Sequence, residues 1–574
     1  MEKRVLLAVV LSFVVLYGYQ ALFPPPPPPR PTSSDATRPT VSPTQPQPKP
    51  SATEPVVPVE SPAAAQPLVH GASERDVVFE SAAVRGVFST RGGVLKSWRL
   101  KRYSGPDGQP LDLVPAQASP DSTRPFTMSV GDASADATLA QAIFKPSAES
   151  IALEGGPSTL TFEYADATGL AVRKEFAFSS EHPYDIGFTA SVSRGGSALN
   201  PTIRWGPALG TGVVSSGLTY APSSRPIFFK DGSVTRVEFD KVQPDYRTVE
   251  GRFGFAGVDD HYFLSAAIAG GQPLRVEYEP LRVPVAGADR PLQFVDWSVR
   301  FETPPSGARF FFGPKDFDVL AAIDRDLTRA IDFGIFSWLV VPLLRALKWV
   351  NGYIGNYGWA IIALTVLINL TMFPLRHKSV VSMRKMQELQ PEVKAIQDRY
   401  AKLKMSDPAR QKMNVELMNL YRERGVNPAS GCVPMLLTMP VLFAFYSMLS
   451  VAIELRGAPF IWWIKDLSVH DPLFITPVLM GATQFVQTKM SPATGDPTQQ
   501  KMMLFMPLIF MTMFIWAPSG LVLYWTVSNL WAIGQQAVTN RLIGPSQPRA
   551  VRPPAERRVK SAGGGKTDAA KERK

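Results

Sequence analysis

The sequence predicts a multi-domain membrane protein: an α-helical transmembrane bundle of six crossings, an all-β antiparallel sandwich domain outside it, and a helical hairpin on the cytoplasmic side. Three observations predict this. Apolar runs able to cross a bilayer core of roughly 30 Å, at about 1.5 Å per residue, occur at residues 5–23 and repeatedly after residue 356. Residues 71–314 alternate apolar and polar side chains and break at Gly, Pro and Asp, the mark of half-buried strands joined by turns. Basic residues gather beside the apolar runs, which speaks of membrane orientation before nucleic acid.

Composition narrows the function classes. The 574 residues carry a formal charge of +11, 54 prolines, five histidines and one cysteine, Cys432. A single cysteine permits no intrachain disulfide. His70, His182, His261, His377 and His470 are scattered, so no metal site is expected. The segment GGGKT at residues 563–567 is not a phosphate loop, because Lys560 stands where the leading glycine belongs and no strand precedes it. No other nucleotide motif or serine elbow occurs, so neither an enzyme nor a cofactor is expected.

Residues 1–23 read as a retained N-terminal transmembrane anchor, since the exit YQALFPPPPPP lacks a small-x-small cleavage pattern. Residues 24–70 read as a Pro-rich disordered linker, too poor in large apolar residues to fold. Residues 71–320 are the sandwich. Within it Ile186, Phe188, Ala190 and Val192 alternate with small polar residues, as do Val295, Trp297, Val299 and Phe301, and Val276 with Tyr278. Asp259, Asp260 and His261 read as a polar turn before the strand HYFLSAAIA, because three successive side chains cannot face one way on a strand. Residues 321–355 include FSWLVVPLLRALKWV, interrupted by Pro342, Arg345 and Lys348. It is too short to span and suits an amphipathic helix in the headgroup layer, with a buried helix of the outer domain as the alternative.

The second crossing, residues 356–375, carries Thr365 and Asn369 one turn apart on one face. A carboxamide in hydrocarbon needs a partner or water. Two readings stay open: Asn369 bonds a neighbouring helix, or its face opens on a wet recess. Residues 376–431 read as a helical hairpin. Val380, Met383, Met386, Leu389, Val393, Ile396, Tyr400 and Leu403 make the stripe of one long amphipathic helix, and Met413, Leu417, Leu420 and Tyr421 that of a second. Twelve Lys and Arg, among them Arg384, Lys385, Lys394 and Arg399, place the hairpin in the cytoplasm. These charges fix orientation, or they form a docking surface for nascent chains or their carriers. Four apolar segments follow at residues 432–453, 472–490, 501–517 and 519–540. Residues 454–471 form an outer loop with Trp462 and Trp463, and residues 541–574 a basic cytoplasmic tail. Six crossings put both termini inside.

Taken together, FPLRHKSVVSMRKMQELQPE, NPASGCVPMLLTMPVLFAFYSML, ELRGAPFIWWIKDLS, QKMMLFMPLIF and PSGLVLYWTVSN resemble the YidC-type membrane protein insertases, the YidC/Oxa/Alb family. STRGGVLKSWRL and FFFGPKDFDVL resemble the large periplasmic domain of the Gram-negative form. The resemblance implies an insertase and chaperone of the bacterial inner (plasma) membrane. Such a protein inserts and helps fold integral membrane proteins through a hydrophilic groove open to cytoplasm and lipid, without nucleotide hydrolysis. Its periplasmic sandwich is related to sugar-processing folds and is not itself an enzyme. Implied partners are nascent membrane proteins, membrane lipids, the Sec translocon (SecYEG, SecDF) and a ribosome or signal recognition particle route. The implied groove residues are Thr365, Asn369, Tyr524 and Trp525. The family commonly holds an arginine where this sequence has Asn369, so a weaker pull on acidic substrate tails is expected. Met435, Leu436, Met439, Met502, Phe505 and Met506 would form a hydrophobic slide for substrate segments, flexible methionine suiting many sequences, or they simply pack.

Two rival functions remain. A transporter needs a polar path through the whole membrane, and apolar stretches such as VLFAFYSML offer none. A sugar-binding outer domain on a mere anchor needs neither the hairpin nor five further crossings.

Overall fold

The computed structural model describes residues 67–543 except 106–107, 116–122, 154–155, 210–223, 243–245, 285–290, 401–408, 427–432 and 491–496. The expected anchor, nearly all of the linker, and the basic tail beyond residue 543 lie outside the described residues.

The period-two pattern is built as strands. Asp185–Arg194 buries Ile186, Phe188, Ala190 and Val192, and Leu292–Phe301 buries Val295, Trp297, Val299 and Phe301. Leu170–Phe178 pairs antiparallel with Asp185–Arg194 and sets Phe176 opposite Phe188. Fifteen strands join in one sheet and five in a second. Sheets beyond about ten strands curl or split. This one changes layer along Thr248–Asp259: residues 255–259 pair with Phe263–Ile268, while 248–252 pair with Pro273–Val283. Gly251 stands near the switch at φ +142°, where a side chain would be strained. The small sheet packs onto the large one through Trp98, whose indole N–H donates to the Phe312 carbonyl at 2.9 Å and whose ring stacks on that of Phe312 at 6.2 Å. One pair departs from the antiparallel expectation: Asp76–Glu80 runs parallel to Ser150–Ala152.

The polar triplet at 259–261 also departs from expectation. Asp259 ends its strand and is fully buried. Lys315 Nζ lies 3.0 Å from its Oδ2, Arg225 Nε 3.3 Å from its Oδ1 and Arg236 Nε 3.8 Å from its Oδ2, so three cations compensate the enclosed carboxylate. Only Asp260 and His261 turn the chain, and the next strand begins at Phe263.

The helices are α1 (Ala133–Gln141), α2 (Phe317–Ile323), α3 (Ser337–Ile354), α4 (Tyr357–Glu388), α5 (Gln390–Arg399), α6 (Ala409–Glu423), α7 (Val433–Val451), α8 (Ile475–Met490), α9 (Pro497–Met513) and α10 (Ser519–Ile543). Among the described residues, α4 is the one helix long and apolar enough to cross a membrane by length and composition. It runs on past residue 375, through Pro374, to Glu388. The single long helix expected over residues 380–403 is interrupted at Leu389. Pro391 explains the break: it cannot donate to the carbonyl of Gln387 and its ring crowds that group, whereas in the first turn of α5 its missing N–H costs nothing. α5 and α6 pack face to face around Val393, Ile396 and Leu420, and Arg424 donates to the buried Glu392 at 2.6 Å.

α3 buries Val340, Leu343, Leu344 and Leu347 and packs on α4 and α7, leaving Trp338, Trp349 and Tyr353 exposed. Its basic residues have protein partners. Lys348 Nζ lies 2.6 Å from Asp318 Oδ2 and 3.2 Å from Glu454 Oε1, and Arg345 covers the Phe317 ring. Beside this junction, His261 Nε2 donates to the Ser450 carbonyl on α7 at 2.8 Å. The sandwich is thus fixed onto the helices at the ends where α2, α3 and α7 meet it.

Lys174 is the sandwich's most enclosed cation, and its Nζ donates to the carbonyls of Gly92 at 2.7 Å, Gly93 at 3.2 Å and Phe126 at 2.8 Å. Burial pushes its ammonium down to about 7. A depressed folded-state value means stability gained as pH rises from about 7 toward the unfolded value, and lost as pH falls back through 7. Lys174→Met is expected to lower stability at pH 7 by about 1–3 kcal/mol by orphaning those carbonyls. Denaturant unfolding of both proteins should show the gap widening between pH 7 and pH 10.

Candidate functional site

Two helices build the site. α4 begins at Asn356, whose side chain accepts from the Trp359 N–H at 3.2 Å and donates to the Phe460 carbonyl at 3.1 Å. α10 begins after Pro518, where the Ser519 and Gly520 N–H groups donate to the Val469 and Leu467 carbonyls. Both starts are pinned to the same outer loop, and the two helices pack together from there.

On α4, Thr365 is fully buried and Asn369 is 4% exposed. Thr365 Oγ1 donates to the Ile361 carbonyl at 2.6 Å, and Asn369 Nδ2 donates to the Thr365 carbonyl at 2.8 Å. These bonds back along the helix use up the donors that would otherwise face hydrocarbon. The Asn369 Oδ1 acceptor is filled by Arg376, whose Nη1 donates to it at 2.7 Å. Arg376 lies seven residues on, two turns along one face, so its half-buried side chain reaches back beside Asn369. Its guanidinium is within electrostatic reach of the Tyr524 phenol on α10. Tyr524 is buried and stacks on Phe445 of α7 at 4.5 Å. Thr365, Asn369, Arg376 and Tyr524 therefore form one cluster where α4, α7 and α10 meet.

The polar seam continues along α10. Gln535 Nε2 lies 3.5 Å from the Phe373 carbonyl, and Thr539 Oγ1 lies 3.3 Å from His377 Nδ1. Asn529 donates to Thr483 Oγ1 on α8 at 3.3 Å. All three α10 residues are buried. Interhelical hydrogen bonds of this kind are one of the forces that hold helices together in lipid.

Trp525 faces elsewhere. Its indole donates to Gln484 Oε1 on α8 at 2.8 Å, and its ring packs on Phe510 and Phe514. Three of the four groove residues expected from the sequence thus come together, and Trp525 braces the neighbouring α8 and α9. Met502, Phe505 and Met506 are exposed on α9, and Met439 is half-buried on α7. The side chains of Met435 and Leu436 lie outside the described residues. α9 packs on α8, whereas α7 packs on α3, α4 and α10, so the expected slide is divided between two walls. In the hairpin Lys385, Lys394 and Arg399 are exposed, Arg384 is half-buried, and Arg399 pairs with Glu416 across to α6.

Arg376, Asn529 and Gln535 escape a reading of the sequence that counts Arg376 among the orientation-setting charges. The available signal is register: seven residues from Asn369 for the arginine, and polar residues at three- and four-residue steps along α10. Asn369→Leu is expected to cost about 1–3 kcal/mol by removing the buried acceptor of a charged donor. Asn369→Asp should leave stability unchanged or raise it, as read by denaturant unfolding in detergent. Equal stability of the Leu variant and the unmutated protein would contradict the role given to this contact.

Residues 349–546 match the family described as 60Kd inner membrane protein, and residues 76–346 match the YidC periplasmic domain. The membrane protein insertase YidC of Geobacter metallireducens is 36% identical over 560 residues, covering 95% of this chain and 100% of the relative. That of Geobacter sulfurreducens is 38% identical over 561 residues with the same coverage. A solved active YidC insertase with its first transmembrane domain resolved is 18% identical, covers 83% of this chain and 95% of its own, and superposes at a TM-score of 0.33.

Proposed function

The chain belongs to the YidC family of membrane protein insertases, and from that premise we propose that the Asn369–Arg376–Tyr524 cluster receives the polar tail of each inserting substrate. It is an inner-membrane insertase with a periplasmic β-sandwich, and it catalyses no chemical reaction. The work lies in lowering a physical barrier. Carrying peptide and charged groups through hydrocarbon is limited by their desolvation. A polar cluster part-way across shortens the dry path. Burial of the substrate's apolar segment, at about 25 cal/mol per Å², drives the process.

One observation carries the reading: the 2.7 Å contact from Arg376 Nη1 to Asn369 Oδ1 inside a buried polar cluster. It supplies the positive charge that position 369 lacks. The partner's neutrality matters. A hydrogen bond from a guanidinium to a neutral amide is worth roughly 1.5–3 kcal/mol net, and a bidentate pair with a carboxylate, charged on both sides, is stronger. An acidic residue in a substrate tail therefore outcompetes Asn369 for the guanidinium. The exchange swings Arg376 off Asn369 and opens the cluster to water and tail together.

The remaining architecture belongs to the same proposal. The chain crosses the membrane six times, with the hairpin, the basic tail and both termini in the cytoplasm, as its Lys and Arg distribution supports. The exposed methionines and phenylalanine of α9, with Met439 on α7, offer an adaptable apolar surface to substrate segments. Nascent membrane proteins are the substrates. Cooperation with the Sec translocon, and delivery by a ribosome or signal recognition particle route, follow from the family resemblance.

Arg376→Leu should slow insertion of a substrate with a short acidic outer tail at least tenfold, about 1.4 kcal/mol of barrier. Asn369→Arg placed in the Arg376→Leu background should restore most of it. Protease mapping in vesicles depleted of the unmutated protein reads both outcomes. Insertion at the unmutated rate by Arg376→Leu alone would overturn the proposal.

A further inference from the structure

A polar pocket that the helical site does not use lies in the sandwich, away from the helices. Strands Thr127–Ser129, Thr202–Trp205, Leu292–Phe301 and Pro273–Val283 lie side by side. Beside them is a pocket of about 280 Å³, room for roughly nine waters at about 30 Å³ each. Asp296, Glu279, Arg204, Arg247, Ser298 and Thr202 line it.

Three features of this lining are costly for a surface that binds nothing. Asp296 and Glu279 are direct cross-strand partners, and like charges in that position repel. Burial, with Glu279 adding to it, pushes the Asp296 carboxyl up to about 7. Asp296 Oδ1 is fully enclosed yet has no protein partner. Trp205 and Trp297, which alternate along their strands with Arg204 and Asp296, bury their rings on the core face of the same sheet and stack there at 5.6 Å. An orphaned buried donor or acceptor typically costs about 1–3 kcal/mol. The chain also makes room for the carboxylate: a Cβ at position 206 would stand 2.5 Å from Asp296 Oδ2, and the residue there is Gly206.

The mixture of charges selects the ligand. A cation meets Arg204 and Arg247, an anion meets Glu277, Glu279 and Asp296, and an apolar side chain finds a polar wall. Among the described residues no group of three or more His, Cys, Asp or Glu could hold a metal ion. Hydroxyl groups fit every requirement, since each donates to a carboxylate and accepts from a guanidinium. We propose that this pocket binds one unit of a saccharide, its neighbouring hydroxyls donating to Asp296 and Glu279 and accepting from Arg204 and Arg247. The unit comes from a free sugar or from a longer glycan, and the test separates them.

Detergent-purified full chain is titrated with D-glucose, D-galactose and N,N′-diacetylchitobiose, following tryptophan fluorescence and heat. Saturable binding of at least one probe is expected, with a dissociation constant at or below about 1 mM. The monosaccharides report a free-sugar site and the disaccharide a glycan site. Arg204→Ala and Gly206→Ala should each weaken binding at least tenfold, Arg204 serving as the exposed variant that leaves the core intact. No saturable signal from any probe up to about 100 mM overturns the proposal, as does equal binding by both variants. Capture of a lysine-rich peptide in place of the sugars would also overturn it.

Discussion

One constraint governs the helical half of this protein: a guanidinium kept among membrane helices must have a partner. An arginine costs about 3 kcal/mol at the centre of a crossing on insertion scales, and less at its end, where Arg376 stands. A charge-assisted hydrogen bond returns about 1.5–3 kcal/mol. The two are close enough that a single good acceptor decides whether the charge stays. Asn369 is that acceptor, and it is positioned by its own bond to Thr365. Asn529, Gln535 and Thr539, buried on α10, extend the polar seam toward α8 and along α4. The result is a cation that is retained but not neutralised, which suits a site meant to exchange partners.

The rest of the molecule holds that seam in place. The Asn356 cap and the outer loop set where α4 and α10 start. Lys348, bonded to Asp318 and Glu454, and His261, bonded to the Ser450 carbonyl, fix the sandwich across the helix ends. Burial pushes the His261 imidazole down to about 4, so the ring stays neutral and the contact persists through the physiological range. The basic hairpin stands at the other end of α4, and a tail would enter there.

Much of this is legible in the sequence, for physical reasons. Period-two alternation in residues such as Ile186, Phe188 and Ala190 reports strands directly, because one face is buried and the other is not. The crossing at Tyr357 and the paired helices of the hairpin are legible from apolar length and from three- and four-residue spacing. Contacts between distant segments are not. Asp259 looks like part of a turn until Lys315 and Arg225 are brought to it by other strands. Lys348 looks like a headgroup ligand until Asp318 and Glu454 surround it. Arg376 is the instructive case, since its partner lies only two turns away. Charge counting assigns it to topology, while helix register assigns it to Asn369, and no rule of composition chooses between them.

The central claim is that water and substrate tails reach the Asn369 cluster from the basic end of α4 and not from the sandwich side. It is tested most directly by placing a cysteine at position 369 in a Cys432→Ser background. A membrane-impermeant maleimide is then applied to inverted and to right-side-out inner-membrane vesicles. The account predicts labelling of Asn369→Cys in the inverted vesicles alone. A thiol that stays unreacted in both orientations, or that reacts from the outer face, would contradict it.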